Sequence, residues 1–155
     1  MKDQIIETWF INNRINLYLI KAISNQGMNC TLSTRGGRTV AQQFAHLHNV
    51  RMRWLEVLAK DLSEGLKKIE KEDAHDKNLL KKSLETSGNA IADLFKRGIE
   101  NDGRMKGFRR GVVPLMGYFI AHDAHHRGSI LLTLKQCGHK VDQQTQYGIW
   151  EWDKM

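Results

Sequence analysis

Residues 112–138, VVPLMGYFIAHDAHHRGSILLTLKQCG, are the stretch on which both the fold and the candidate site depend. Measured from His122 at about 100° per residue, a single arc of about 80° contains a set of mostly apolar side chains: Leu115, Phe119, Ile130, Thr133 and Cys137. His126 lies near the middle of that arc. The pattern predicts a helix that begins near Val112, tolerates Pro114 in its first turn and ends at Gly138.

The two inward histidines of this helix indicate a metal site. His122 and His126 are one helical turn apart, so their imidazoles are close enough to share one ion. A single buried histidine is more often a hydrogen-bonded core residue, and the pair alone leaves both interpretations open. His125 lies about 60° to the other side, where we expect it to border the site and support a ligand. Asp123 is a further candidate for orienting a ligand, and Glu56 and Glu151 are available acceptors without an assigned partner.

A third ligand is expected from an earlier helix that contains His46 and His48. Val50 and Val57 lie within about 40° of His46, and Trp54 within about 80°, so His46 shares the more strongly apolar side. His48 points about 200° away from His46 and is expected to be partly exposed. It stays an alternative third ligand, because a second apolar strip on this helix could include it.

Four helical segments follow from the apolar period, and they predict an all-α four-helix bundle. The first three are residues 3–24, residues 38 or 39 to 62, and residues 76–99, the last capped by Asp76 or Asp73. The connections of about ten to fifteen residues leave room for a crossover, because a simple up-and-down bundle needs less. The order of the helices in space stays open. The aromatic C-terminal tail, residues 146–152, is expected to pack back on the bundle.

Length and composition indicate one domain over residues 1–155. The chain is 41% hydrophobic and carries a formal charge of +7. Its basic residues are scattered among acidic ones, which favours a solvated surface over nucleic-acid binding. No apolar run is long enough for a membrane span, and no secretory signal is evident. The two cysteines, Cys30 and Cys137, form no CxxC pair, so we expect a cytoplasmic protein with reduced thiols.

Two segments resemble the DinB-like (DinB/YfiT) metal-dependent four-helix-bundle superfamily. Residues 39–47, TVAQQFAHL, followed by Trp54-Leu55, are similar to the motif of that family's second helix. Residues 122–130, HDAHHRGSI, are similar to the histidine, three residues, histidine-Arg-Gly-Gln motif of its last helix. The likeness spans the whole chain in helix order and length, and the HxxxHRG element is its more specific part.

The resemblance implies that His46, His122 and His126 are the ligands of a divalent ion such as zinc or nickel. It also implies a four-helix bundle that commonly forms a homodimer. Two positions depart from the family pattern: Ser129 stands where glutamine is frequent, and Arg51 where an acidic residue is common. Neither change removes a ligand, but both affect the surroundings of the ion.

Three histidines without a carboxylate leave at least one coordination position open for water or substrate. The leading hypothesis is therefore a metal-dependent enzyme that acts on a small molecule, either a hydrolase or a transferase using a low-molecular-weight thiol. The alternative is a non-catalytic metal-binding or stress-response module. A zinc peptidase is disfavoured, because the HDAHH segment has Asp where HExxH has Glu, and paired Glu-x-x-His motifs for a di-iron site are absent.

Overall fold

The computed structural model describes residues 1–155 and confirms an all-helical chain. Its helices are α1 (Lys2–Ala22), α2 (Asn25–Met28), α3 (Val40–Leu58), α4 (Lys60–Ser63), α5 (Lys77–Glu100), α6 (Val112–Gln136) and α7 (Gln143–Gly148), followed by a 3-10 turn at Trp152–Lys154. The four long ones, α1, α3, α5 and α6, match the four segments expected from the period. The short ones fill the connections and the tail.

Side-chain caps set the starts of the two helices that the sequence marks most clearly. Thr39 accepts a hydrogen bond from the backbone N–H of Gln42, and the Gln42 side chain accepts one from the backbone of Thr39. This capping box satisfies two amides that the first turn would otherwise leave free. Asp76 caps α5 by accepting from the backbone N–H groups of Asn78 and Leu79, which confirms one of the two expected caps.

The predicted end of the second long helix was wrong. α3 ends at Leu58, because Ala59 adopts φ −158° and ψ 73°, outside the helical region. A separate single turn, α4, then carries the chain through Leu62. Alanine and lysine are good helix formers, so nothing at this junction signals a stop in the sequence.

The four long helices form a bundle with diagonal connections. α1 packs against α5 and α6, and α3 also packs against α5 and α6. The consecutive helices α1 and α3 are therefore diagonal to each other, and the connection between them crosses the bundle. This crossover brings α3 beside α6, the two helices that carry the candidate ligands.

A polar layer divides the interior into two apolar clusters. One cluster contains Leu19, Phe44 and Leu84, and the other contains Trp9 and Phe119. Between them, each long helix contributes buried polar side chains: Asn12, Asn13 and Asn16 from α1, His48 and Arg51 from α3, Ser87 from α5, and Asp123, His126 and Arg127 from α6. Buried polar groups need hydrogen-bond partners, so this layer fixes how the four helices align.

The C-terminal tail packs closely against α1 at Gly148. Gly148 approaches so closely that a Cβ there would lie 2.5 Å from the Tyr18 hydroxyl, and Thr145 is buried. The expectation that the tail aromatics pack inward holds only in part, because Trp150 is 74% exposed while Trp152 is half-buried. None of the helices combines the length and the apolar character that crossing a lipid bilayer requires.

Candidate metal centre

Three histidines from two helices converge at the edge of the polar layer. His46 comes from α3, and His122 and His126 come from consecutive turns of α6. The ring centroids are 4.8 Å apart for His46–His126 and for His122–His126, and 5.3 Å apart for His46–His122. One nitrogen from each ring lies within 4.8 Å of the others, so the three could hold one ion. Tetrahedral zinc needs nitrogens about 3.4 Å apart, a contraction that side-chain rotation can supply.

Burial disfavours the protonated form of all three imidazoles. Burial lowers the pKa of His46 to about 4, with further effects from Arg38 and His122. Burial also lowers the pKa of His126 to about 4, and the neighbouring imidazoles add to the effect. The pKa of His122 is lowered by burial as well, although the Asp123 carboxylate opposes the shift. A metal ion binds the neutral imidazole, so these nitrogens need not release protons first.

Gln43 fixes the tautomer of His126. Its side-chain Oε1 lies 3.2 Å from Nδ1 of His126, and both side chains are buried. An amide oxygen only accepts, so Nδ1 of His126 donates the hydrogen bond and Nε2 keeps a free lone pair. Gln43 was not among the residues predicted from the sequence. The sequence feature that could have identified Gln43 is its three-residue spacing to His46, which puts both side chains on one face of α3.

Asp123 lies beside His122, held by donors from two other helices. Its Oδ2 accepts hydrogen bonds from Nδ2 of Asn12, Nδ2 of Asn16 and Nη2 of Arg51, each at 2.8 Å. Its Oδ1 is buried without a hydrogen-bond partner and is 4.0 Å from Nδ1 of His122. That separation is too long for a hydrogen bond, so Asp123 acts on His122 through its charge.

Arg51, one of the two departures from the family pattern, is a central member of the polar layer. It is 0% exposed, and its Nη1 donates to Oδ1 of Asn13 at 2.7 Å and to the Leu84 carbonyl at 3.1 Å. Its guanidinium lies 4.8 Å from the Trp9 ring centroid. The arginine therefore joins α1, α3 and α5, and through Asp123 it also reaches α6.

The other histidines near the site have different environments. His125 is exposed, with its ring 5.1 Å from that of His126 and no hydrogen bond to a ligand. The expectation that His48 is partly exposed was wrong, because it is 1% exposed. Its Nδ1 is 2.9 Å from the Ser83 carbonyl and its Nε2 is 2.9 Å from the Lys67 carbonyl. These bonds anchor a loop and α5 to α3, away from the three convergent imidazoles.

Comparison with models of known protein families gives a match over nearly the whole chain. A sequence model of the DinB family matches residues 1–153. The chain belongs to the DinB family. No curated protein and no solved structure matches it significantly. The family match covers all four long helices of the bundle.

This DinB protein combines a neutral nitrogen donor set with access from outside. His46 and His122 are half-buried, whereas His126 is 8% exposed. Glu56 lines a cavity next to His46, and Glu151 makes an ion pair with Lys154 at 2.7 Å in the tail. No carboxylate belongs to the convergent trio. An ion held by three neutral ligands would retain its full charge and an open coordination position.

Proposed function

We propose that His46, His122 and His126 bind one divalent metal ion and that the protein uses the open position to activate a small molecule. The observation that supports this most is the convergence of three neutral imidazoles, one of them held in a single tautomer by Gln43. Nitrogen ligands suit zinc, nickel and similar ions. When bound, such an ion acts as a Lewis acid that lowers the pKa of a water or thiol it coordinates.

The reaction we favour is metal-dependent thiol transfer or small-molecule hydrolysis. The residues of this chain would hold the ion, orient the ligands and restrict water. Gln43 keeps His126 in the binding tautomer, and the Asp123 carboxylate faces His122 with one unpaired oxygen. A negative charge beside a ligand strengthens its donation to the ion. No other nucleophile lies within the trio, so the coordinated water or thiol would be the attacking group.

Metal analysis of untagged protein tests this proposal. We expect about one ion per chain in the wild type and loss of it in His126→Ala. His139→Ala is the matched control, because His139 is exposed and outside the trio. An ion content that stays the same in His126→Ala would exclude the proposed ligands.

A non-catalytic metal-binding or stress-response module is the second candidate. It is favoured because the convergent group contains no base or nucleophile other than the three proposed ligands. Incubating metal-loaded protein with low-molecular-weight thiols and electrophiles separates the two. Metal-dependent thiol consumption supports the enzyme, and tight metal binding with no turnover of thiols or esters supports the module.

The exposed face of α6 supports a homodimer. Between Val113 and Leu132, one stripe of this helix contains only apolar and small residues, all of them exposed: Val113, Gly117, Ala121, Ala124, Gly128 and Leu132. Exposed Lys135 follows in the last turn. A Cβ added at Gly117 or Gly128 would meet nothing within 4 Å, so no contact within the chain requires these glycines. Close helix packing between two copies would use them. Sedimentation velocity should show a dimer, and Ala124→Glu should dissociate it. Asn89→Glu, at an exposed position of α5, should leave the dimer intact.

A further inference from the structure

A cavity of about 570 Å³ lies beside the candidate metal centre. Helix α3 forms one wall, the loop of residues 68–72 forms the opposite wall, and Arg38 lies at the start of α3. Of the three convergent histidines, His46 lines this cavity. The volume is within the range of small-molecule sites. Because His46 lines the cavity, a ligand seated here lies next to the centre.

The loop wall is anchored to α3 by paired hydrogen bonds. Nδ2 of Asn49 donates to the Ile69 carbonyl at 2.9 Å, and the Ile69 N–H donates to Oδ1 of Asn49 at 2.9 Å. From the adjacent residue of α3, Nε2 of His48 is 2.9 Å from the Lys67 carbonyl. Ile69 itself is buried in the core. The loop is therefore held at a fixed separation from α3, and the cavity is already formed without a ligand.

The end of the cavity near His46 is positively charged. Arg38 and Arg53 both line it, and neither makes an ion pair, whereas Lys68 pairs with Glu70 at 2.8 Å. Glu56, Glu70 and Glu72 also line the cavity, as do Lys68 and Lys71, so its Lys and Arg residues outnumber its acidic ones by four to three. Two unpaired guanidiniums therefore face the space next to the centre.

We infer that this cavity binds a carboxylate-bearing small molecule, whose carboxylate contacts Arg38 or Arg53 while its reactive group reaches the position beside His46. The guanidinium fork matches the two oxygens of a carboxylate and stays charged at every physiological pH. This inference rests on the proposed function for the role of the reactive group, but the carboxylate site stands on the cavity and its arginines. It makes the two arginines specificity-determining residues. The carboxylate belongs either to the thiol or to the second reactant.

A pair of thiols that differ in one group tests the inference. On cobalt-loaded protein, thiolate coordination gives a charge-transfer absorption that can be titrated. We expect 3-mercaptopropionate to bind about tenfold or more tightly than 2-mercaptoethanol, because only the former has a carboxylate. Arg38→Gln/Arg53→Gln should abolish this preference without weakening 2-mercaptoethanol. Arg109→Gln/Arg110→Gln removes the same charge from an exposed loop and should keep it.

Succinate separates the two sources of the carboxylate. If it displaces 3-mercaptopropionate and removes the absorption, the carboxylate belongs to the thiol. If it binds together with 3-mercaptopropionate and the absorption remains, the carboxylate belongs to the second reactant. Either result supports the site when Arg38→Gln/Arg53→Gln abolishes succinate binding.

Two outcomes would overturn the inference: equal affinity for the two thiols together with no succinate binding, or a thiol preference or succinate binding that survives in Arg38→Gln/Arg53→Gln. Failure of the proposed function looks different. If cobalt does not bind at the histidines, calorimetric titration of the metal-free protein with succinate still decides whether the arginines form a carboxylate site. Thermal unfolding of each variant verifies that it is folded.

Discussion

Replacing Asp123 with asparagine removes the only carboxylate of the central polar layer while keeping its size. In the wild type, Oδ2 of Asp123 accepts three hydrogen bonds at 2.8 Å, and Arg51 and Arg127 lie on either side of the carboxylate in the network. An asparagine oxygen can still accept these bonds. It cannot neutralise two buried guanidiniums, which are 0% and 8% exposed.

The expected cost follows from the burial of that charge. Removing one partner of a buried pair typically destabilises a protein by about 3–5 kcal/mol. For a domain of this size, each kcal/mol lowers the melting temperature by about 2–4 °C, so we expect a decrease of about 6–20 °C. Urea unfolding with a chelator present measures the change without interference from metal binding at His122.

A double-mutant cycle distinguishes lost pairing from general disruption. Arg51→Met/Asp123→Leu removes both charges of the pair, so it should cost less than the sum of Arg51→Met and Asp123→Leu. If Asp123→Asn stays within about 1 kcal/mol of the wild type, or if the cycle is additive, the layer does not depend on this ion pair and the reasoning fails.

Three further predictions concern the ligands and the packing. Gln43→Leu should weaken zinc affinity about 10- to 100-fold in competition with a chelator, because Nδ1 of His126 loses its acceptor; unchanged affinity would contradict this. Since the folded pKa values of His46 and His126 are about 4, below their ordinary 6.5, the unfolded chain takes up protons first as pH falls. Metal-free protein should therefore lose stability between pH 6.5 and about 4, less steeply in His46→Ala/His126→Ala. Gly88→Ala should lower the melting temperature, since its Cβ would lie 2.6 Å from a buried amide of α1; a rise, as helix propensity alone predicts, would refute it.

The sequence was sufficient for the long helices, because their signals are local. The apolar period places α5 and α6, and the caps at Thr39 and Asp76 act within three residues. Nothing local predicts the break at Ala59, since its neighbours favour a helix. The short helices α2 and α7 are capped by Ser24 and Asp142. They are too short for a hydrophobic period to reveal them.

The candidate site was predictable to the extent that its parts are close in the chain. His122 and His126 share one helix face, and their phase follows from the period alone. The environment of Arg51 depends on Asp123, which is 72 residues away in the sequence. His48 likewise depends on carbonyl groups at Ser83 and Lys67. Such pairings arise from helix packing, so residue type and spacing within one helix cannot reveal them.

The capping box at the start of α3 has a consequence for insertions and deletions. Thr39 fixes the first turn of the helix, and His46 follows seven residues later. One residue inserted between them would rotate His46 by about 100° away from α6. An insertion among the exposed residues 32–37 would leave the orientation of His46 unchanged, because the capping box starts the helix at the same residue. Changes in chain length should therefore be tolerated just before Thr39 and should abolish metal binding just after it.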